Sequence, residues 1–542
     1  MTTPVSATTD RSGSTSGLFT LADGRRVGPI FALVSSLFLL WGFCNGMIDV
    51  MDKHFQDELH LSLAQSAWVQ FAHYLGYFLM ALPAGWLATR LGYKGGIIAG
   101  LLLVAVGGFW FIAASHIAQF WAFLAGVSVI AAGLTFLETV ANPYTTVLGA
   151  PHLAASRINL AQSCNGIGWV LGPIAGTLFF YGKDASGAST GSQTLWIPYA
   201  AVGVVVVVLA VVFSVVTVPD VKSPDVYHVE DESSSEPVSA SSSPSNVGAV
   251  YVLLVGNIAV LTVSVAMILW AILNAFGAGP GLVGLAEKIP HPGIHAVTAE
   301  NALAIILGAV AGLVVVAAAV VLVGRVRRLP VHSIWSHPHF SGATLAQFFY
   351  VAAQAGIFSF FVNYMTSQTP GISRDATSWL ATHFTAIGSD GMRHITDGGA
   401  STLMSVAFGC FLLGRFVGSL VLAFFSSARV LGLYALINIF VCILVMSHVG
   451  WLSVIGVFLS FFFMSIMFPT IFALGIRGLG VRAKRASAYI VMAIMGGAIL
   501  PKLMGAVGDA RGLSAAFIVP LACFALVSIY GFAWPRLSGS EK

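Results

Sequence analysis

Charge is what this chain has least of. Asp, Glu, Lys and Arg make up 8% of its 542 residues, against about 25% in an ordinary soluble domain. No water-facing surface can be built from so few, and those present cluster between long apolar runs, which excludes a large soluble enzyme with a greasy core. There is no stripe of Lys and Arg to follow a phosphate backbone, and the formal net charge is only +4, so no nucleic-acid partner is expected. Cysteine is scarce as well. Cys44, Cys164, Cys410, Cys442 and Cys523 all sit in apolar runs without C-x-x-C spacing and read as small core residues, not metal ligands or disulfides. Residues 1–26, rich in Ser, Thr and Gly, lack the apolar region and cleavage site of a secretory signal.

What the chain has in abundance is hydrophobic residues, 57% of the total. They form runs of roughly 20, the length that crosses about 30 Å of hydrocarbon, and fourteen such runs lie between residues 30 and 535. Backbone groups cannot stay unpaired in lipid, and a barrel would show short alternating segments, so an all-α polytopic membrane protein is expected. Counting fourteen spans places Arg25, Arg26, Arg90, Lys94, Arg157, Arg325, Arg327, Arg328, Arg429, Arg477, Arg485 and Arg536 on one side. By the positive-inside rule that side is the cytoplasm, which puts both termini there and the protein in the cell's inner (plasma) membrane.

The expected organisation is a disordered cytoplasmic N-terminus (1–26), a six-helix half (27–218), a Ser-rich acidic linker (219–247), an inserted helix pair with a basic segment (248–340), a second six-helix half (341–535) and a short cytoplasmic tail (536–542). An internal repeat supports the two halves. Asn142-Pro143 is followed by Leu148-Gly149, and Phe468-Pro469 by Leu474-Gly475 at the same offset; Trp41 precedes Asn45 by four residues as Tyr350 precedes Gln354. Two pseudo-symmetric halves are what a rocking transporter needs, with its substrate held between them. The external loop 367–400 reads as either a lid or slack.

Only Asp49 and Glu138 are acids within predicted spans, Asp49 near the outer end of its run. A charge there costs about 2.5 to 3.5 kcal/mol even on a lenient scale, so each must face a cavity, find a partner or hold a proton. A carboxyl that crosses more easily neutral than charged is a proton carrier; a structural acid paired with an Arg is the bland alternative. Around them, Asn45 and Asp49, Gln70 with His73 and Tyr77, Glu138 and Asn142, Asn159 with Gln162 and Asn165, and Gln347 with Tyr350 and Gln354 fall at helical spacing. Each helix thus presents one polar stripe. Amides both donate and accept while aromatic faces cover C–H surface, which suits a neutral, hydroxyl-rich ligand; a single amide is as readily a helix-to-helix bond. The candidate substrate-binding set is Asn45, Gln70, His73, Asn142, Gln162, Asn165, Tyr350, Gln354 and Asn363, and the proton-coupling pair is Asp49 and Glu138. No catalytic role is expected, no metal, and no cofactor beyond the proton as coupling ion. Arg415 and Lys502 also fall within spans, with roles left open.

The segment Gly85-Trp-Leu-Ala-Thr-Arg90-Leu-Gly92-Tyr93-Lys94 resembles the loop signature of the major facilitator superfamily, with Thr89 where the signature usually has Asp. W-G-F-C-N-G-M-I-D ending at Asp49, F-L-E-T-V-A-N-P-Y around Glu138, R-I-N-L-A-Q-S-C-N-G from Arg157, A-Q-F-F-Y-V-A-A-Q from Ala346 and F-P-T-I-F-A-L-G-I-R ending at Arg477 are similar to the fucose:proton symporter family, which includes L-fucose, glucose/galactose and N-acetylglucosamine permeases. The resemblance implies a major facilitator fold and proton-coupled uptake of a neutral monosaccharide, L-fucose or a related hexose, by a protein working as a monomer in membrane lipid. It also implies that Asp49 and Glu138 match the family's protonatable acids, and Gln162 and Asn165 its sugar-cavity amides. The family usually has twelve helices, so the central pair is a departure. Competing readings are a fourteen-helix drug:proton antiporter, suggested by Gly168-x-x-x-Gly172-Pro173-x-x-Gly176, a passive sugar facilitator, and a sugar-sensing receptor that no longer transports.

Overall fold

The computed structural model describes residues 18–21, 24–58, 68–180, 194–219, 246–275, 277–278, 280–290, 296–330, 333–375, 381 and 384–539. Residues 1–17 and nearly all of the Ser-rich linker, both expected to be disordered, lie outside the described residues; against that expectation, residues 18–21 and 24–26 are structured, with Thr20 bridged to Arg26 and Phe19 packed 4.8 Å from Phe31. Within them the chain is a helical bundle. Its first half contains α1 (Gly28–Glu58), α2 (Trp68–Ile117), α3 (Phe120–Val147), α4 (Ala154–Phe180) and α5 (Trp196–Val215). The inserted pair is α6 (Val247–Ala275) and α7 (Ala299–Arg325). The second half contains α8 (Pro338–Ser359), α9 (Phe361–Ser367), α10 (Asp397–Phe424), α11 (Ser427–Met446), α12 (Trp451–Met464), α13 (Met467–Ile476), α14 (Ala483–Met492), α15 (Gly496–Arg511) and α16 (Ile518–Leu537).

Among the described residues, eleven helices are long and apolar enough to cross a membrane, or twelve if α8 and α9, bent by 44°, form one span. Fourteen are not reached by this count, for two physical reasons. The helix α2 runs for 50 residues, about 75 Å at 1.5 Å per residue, which is more than twice the hydrocarbon thickness. It reverses at Gly92, whose φ of 71° is accessible to glycine at little cost. The helix α4, diluted by Arg157 and its row of amides, is not among the eleven.

Apolar side chains such as Val205, Val208, Leu420, Phe424 and Phe532 point outward, as a lipid-facing surface requires. Polar residues point inward. In the first half α1 packs along α4, and the close approach depends on small residues: a Cβ on Gly168 would stand 2.2 Å from the Leu39 carbonyl oxygen. The glycine motif suggesting a drug antiporter therefore has a packing explanation. Arg157, fully buried, ties the end of α3 to the start of α4 by donating to the carbonyls of Thr145 (3.1 Å), Ala150 (2.8 Å) and Thr146.

The inserted pair is peripheral. Only 11% of its spans is buried, against 78% for Trp451–Ile476. Asn257 of α6 donates to the Ser341 carbonyl on α8 at 2.9 Å, and the Lys502 ammonium on α15 lies 5.2 Å from the Trp270 ring of α6. The pair thus attaches to the second half. Part of the loop 367–400 forms a hairpin, β1 (Thr385–Ile387) antiparallel to β2 (Arg393–Ile395), with Ala386 opposite His394. His394 bonds Asp390 at 2.9 Å and, with the Met392 amide, holds that carboxyl below the usual range. The five cysteines are free.

Candidate functional site

The halves meet along two seams, α2 against α14 and α4 against α10. Between them lies a cavity with about 60 Å³ open to water centres, room for a handful of waters by that measure. The helix α1 contributes Trp41, Asn45 and Ile48; α2 contributes Gln70, His73, Tyr74 and Tyr77; α4 contributes Asn165 and Trp169. From the second half come Val351 and Gln354 of α8, Arg415 of α10, Phe468 of α13, and Ile494. Five members of the candidate set, Asn45, Gln70, His73, Asn165 and Gln354, therefore share one wall-to-wall space. The repeat pairing of Asn45 with Gln354 places one amide from each half in it.

Three further candidates lie in the buried layer behind this lining. Gln162 donates from Nε2 to Asn142 Oδ1 at 3.0 Å, and Tyr350 is buried with its ring 6.3 Å from Phe468. Asn363 is not brought in. It is exposed on α9, nine residues beyond Gln354, or about two and a half helical turns, which is the face opposite the stripe holding Gln354. Asp49 lies on α1 one turn beyond Asn45, but its side chain is outside the described residues.

Aromatic rings shape the cavity. The Trp41 indole donates to the Tyr77 hydroxyl, bridging α1 and α2, and stands 6.1 Å from Phe468 of the other half. His73 packs at a tilt against Tyr77, with ring centroids 5.0 Å apart, and its Nδ1 has no partner among the described residues.

Two buried charges dominate the electrostatics, and they are treated differently. The Arg415 guanidinium, 2% exposed, is held by several oxygens. Its Nη1 donates to Asn165 Oδ1 (2.7 Å), to Gln162 Oε1 (3.3 Å) and to the Gln162 carbonyl, while Nε donates to the Ser465 carbonyl (3.0 Å). It also lies 4.5 Å from the Phe411 ring. Glu138, 3% exposed, has no hydrogen-bond partner on either carboxyl oxygen among the described residues. Asn142, one turn on, is beside it without reaching hydrogen-bond geometry. Arg415 is within electrostatic reach of Glu138, yet the two form no contact ion pair.

Sequence reasoning left Arg415 undecided and did not count Trp41, Tyr77, Trp169 or Phe468 among the binding residues. Signals existed for each: a cation amid an apolar run, a Tyr one turn from His73, a Trp one turn from Asn45 or Asn165, and a Phe before a helix-breaking Pro.

A central polar chamber between two packed halves, with Glu138 outside its lining but buried and without a hydrogen-bond partner among the described residues, defines a membrane carrier of the alternating-access class. The profile of the Major Facilitator Superfamily matches residues 30–336, and the chain belongs to that superfamily, within the group of the fucose:proton symporters and glucose/galactose transporters. It is 32% identical to the L-fucose-proton symporter of Escherichia coli, over 92% of both chains. It is 28% identical to the glucose/galactose transporter of Brucella abortus, over 92% of this chain and 93% of that one. Among solved structures, FucP in the outward conformation aligns with a TM-score of 0.62 at 28% identity, over 93% of this chain and 98% of that one. The proton:xylose symporter XylE, at 11% identity and a TM-score of 0.59, shares the fold.

Proposed function

We propose that this chain carries a neutral monosaccharide, L-fucose or a related hexose, together with a proton by alternating access. The observation carrying the proposal is Glu138: a carboxyl buried without a hydrogen-bond partner, beside a chamber lined by amides and indoles. A buried carboxylate without compensation is expensive, and a bound proton removes that expense. The relatives' names, an L-fucose-proton symporter and a glucose/galactose transporter, support both the cargo class and the coupling ion.

In this reading residues 27–218 and 341–535 are the moving halves, with both termini in the cytoplasm of the inner membrane and the monomer as the working unit. Asn45, Gln70, His73, Asn165 and Gln354 contact sugar hydroxyls, and Trp41 and Trp169 cover its C–H faces. Asn142, Gln162 and Tyr350 support them from behind. Asp49 delivers the proton to Glu138.

The test is uptake of labelled L-fucose, galactose, glucose and N-acetylglucosamine into proteoliposomes with and without an inward proton gradient. Glu138→Gln is expected to abolish accumulation while retaining sugar exchange. Undiminished accumulation in that variant would remove Glu138 from the coupling role.

A further inference from the structure

We infer that Ser156 and Ser419 form the latch that closes the cytoplasmic end of the seam between α4 and α10, acting as positioning residues joined to the sugar site through Arg415. The functional consequence rests on the carrier reading above; the geometry does not.

Each of these two buried serines donates to the other's backbone. Ser156 Oγ bonds the Ser419 carbonyl at 2.9 Å, Ser419 Oγ bonds the Ser156 carbonyl at 3.0 Å, and the two hydroxyl oxygens are 3.3 Å apart. A helical serine ordinarily bonds back to the carbonyl one turn earlier on its own helix, as Ser163 does to Asn159 at 3.0 Å. Here both local bonds have been exchanged for reciprocal ones across the seam, so they exist only while the halves are together at this end.

The same two helices carry the site. Arg415 lies one turn before Ser419 on α10, and its Nη1 reaches Gln162 and Asn165 on α4. Asn165 is nine residues beyond Ser156, or about 13 Å along the helix. The seam therefore reads as one zipper with the sugar-contacting Asn165 and Arg415 at its upper end and the serine pair at its lower end. Two further bonds join the halves nearby, from Asn159 Nδ2 to Thr470 Oγ1 at 3.1 Å and from Ser487 Oγ to the Thr139 carbonyl at 2.9 Å. All of these lower bonds are between neutral groups. A sugar hydroxyl that takes over Asn165 Oδ1 withdraws one of the charged bonds at the top of the zipper, leaving those from Arg415 to Gln162, while the latch below is neutral and can part without itself exposing an unpaired ion.

The test is the pair Ser156→Cys and Ser419→Cys, oxidised in the full-length protein, with each single variant as control for the native cysteines. The expected result is a disulfide between the two positions by mass spectrometry, with L-fucose counterflow lost and restored by reductant. External L-fucose binding, read by tryptophan fluorescence, is retained. No disulfide, or a disulfide with undiminished counterflow, overturns the latch. The Ser156→Ala, Ser419→Ala double variant should populate the inward-open state, weakening external L-fucose binding by about three- to tenfold and speeding hydrogen exchange at the start of α4 and the end of α10. Unchanged exchange there overturns the latch whether or not sugar moves; a wild-type protein that binds and moves none of the four sugars overturns only the carrier reading.

Discussion

Arg415 directs its donors to oxygens of both halves: Nη1 toward Asn165 and Gln162 of the first, Nε toward Ser465 of the second. Lysine keeps the charge but lacks the planar fork that serves several acceptors at once. Hydrogen bonds to charged groups contribute about 1.5 to 3 kcal/mol each, so losing one corresponds to about tenfold or more. Arg415→Lys should therefore raise the half-saturation concentration for L-fucose exchange by at least about tenfold. A variant with wild-type exchange kinetics would show that the fork does not organise the sugar amides. The apolar run showed Arg415 to be inside a span, and helical spacing put Asn45, Gln70 with His73, and Asn165 on separate polar stripes, whose members line one cavity. It could not show that Arg415 reaches across to α4, because that contact joins residues about 250 positions apart. Asn363 illustrates the opposite limit: it lies nine residues, or about two and a half helical turns, beyond Gln354, so helical spacing gave it no place on that stripe, and it is exposed on α9.

At the level of elements, hydropathy located the spans because lipid enforces apolar runs, and the repeat of Pro143 with Leu148-Gly149 at Pro469 with Leu474-Gly475 suggested two halves, although the helix through Pro143 is continuous and the one around Pro469 is split. Counting was less secure. A chain that turns within one unbroken helical stretch at Gly92, and a span as polar as α4, both defeat a criterion based on length and apolarity. The inserted pair was legible as an insertion, but its docking was not, because that depends on single polar contacts. Asn257 is such a contact, linking α6 to the Ser341 carbonyl of α8. A hydrogen bond between membrane helices contributes about 0.6 to 1.7 kcal/mol, so Asn257→Val should lower thermal stability by about 1 kcal/mol and leave L-fucose exchange intact. Loss of exchange without loss of stability would instead make the inserted pair part of the transport cycle.

For the whole molecule, the decisive quantity is how much work the proton can do. If one proton enters with each neutral sugar, every turnover moves one positive charge inward. An inside-negative potential of about 100 mV then supplies about 2.3 kcal/mol per sugar. With about 1.4 kcal/mol for each tenfold concentration ratio, the limit is about forty-fold accumulation from the potential alone. This can be measured in proteoliposomes with equal pH on both sides, a potassium diffusion potential set by valinomycin, and labelled L-fucose. Wild-type protein should accumulate sugar toward that limit, and Glu138→Gln should stop at equal concentrations, because its amide cannot carry the charge. Sugar that merely equilibrates in the wild type, whatever the potential, would mark a passive facilitator and leave the unpaired Glu138 carboxyl to be explained by something other than coupling.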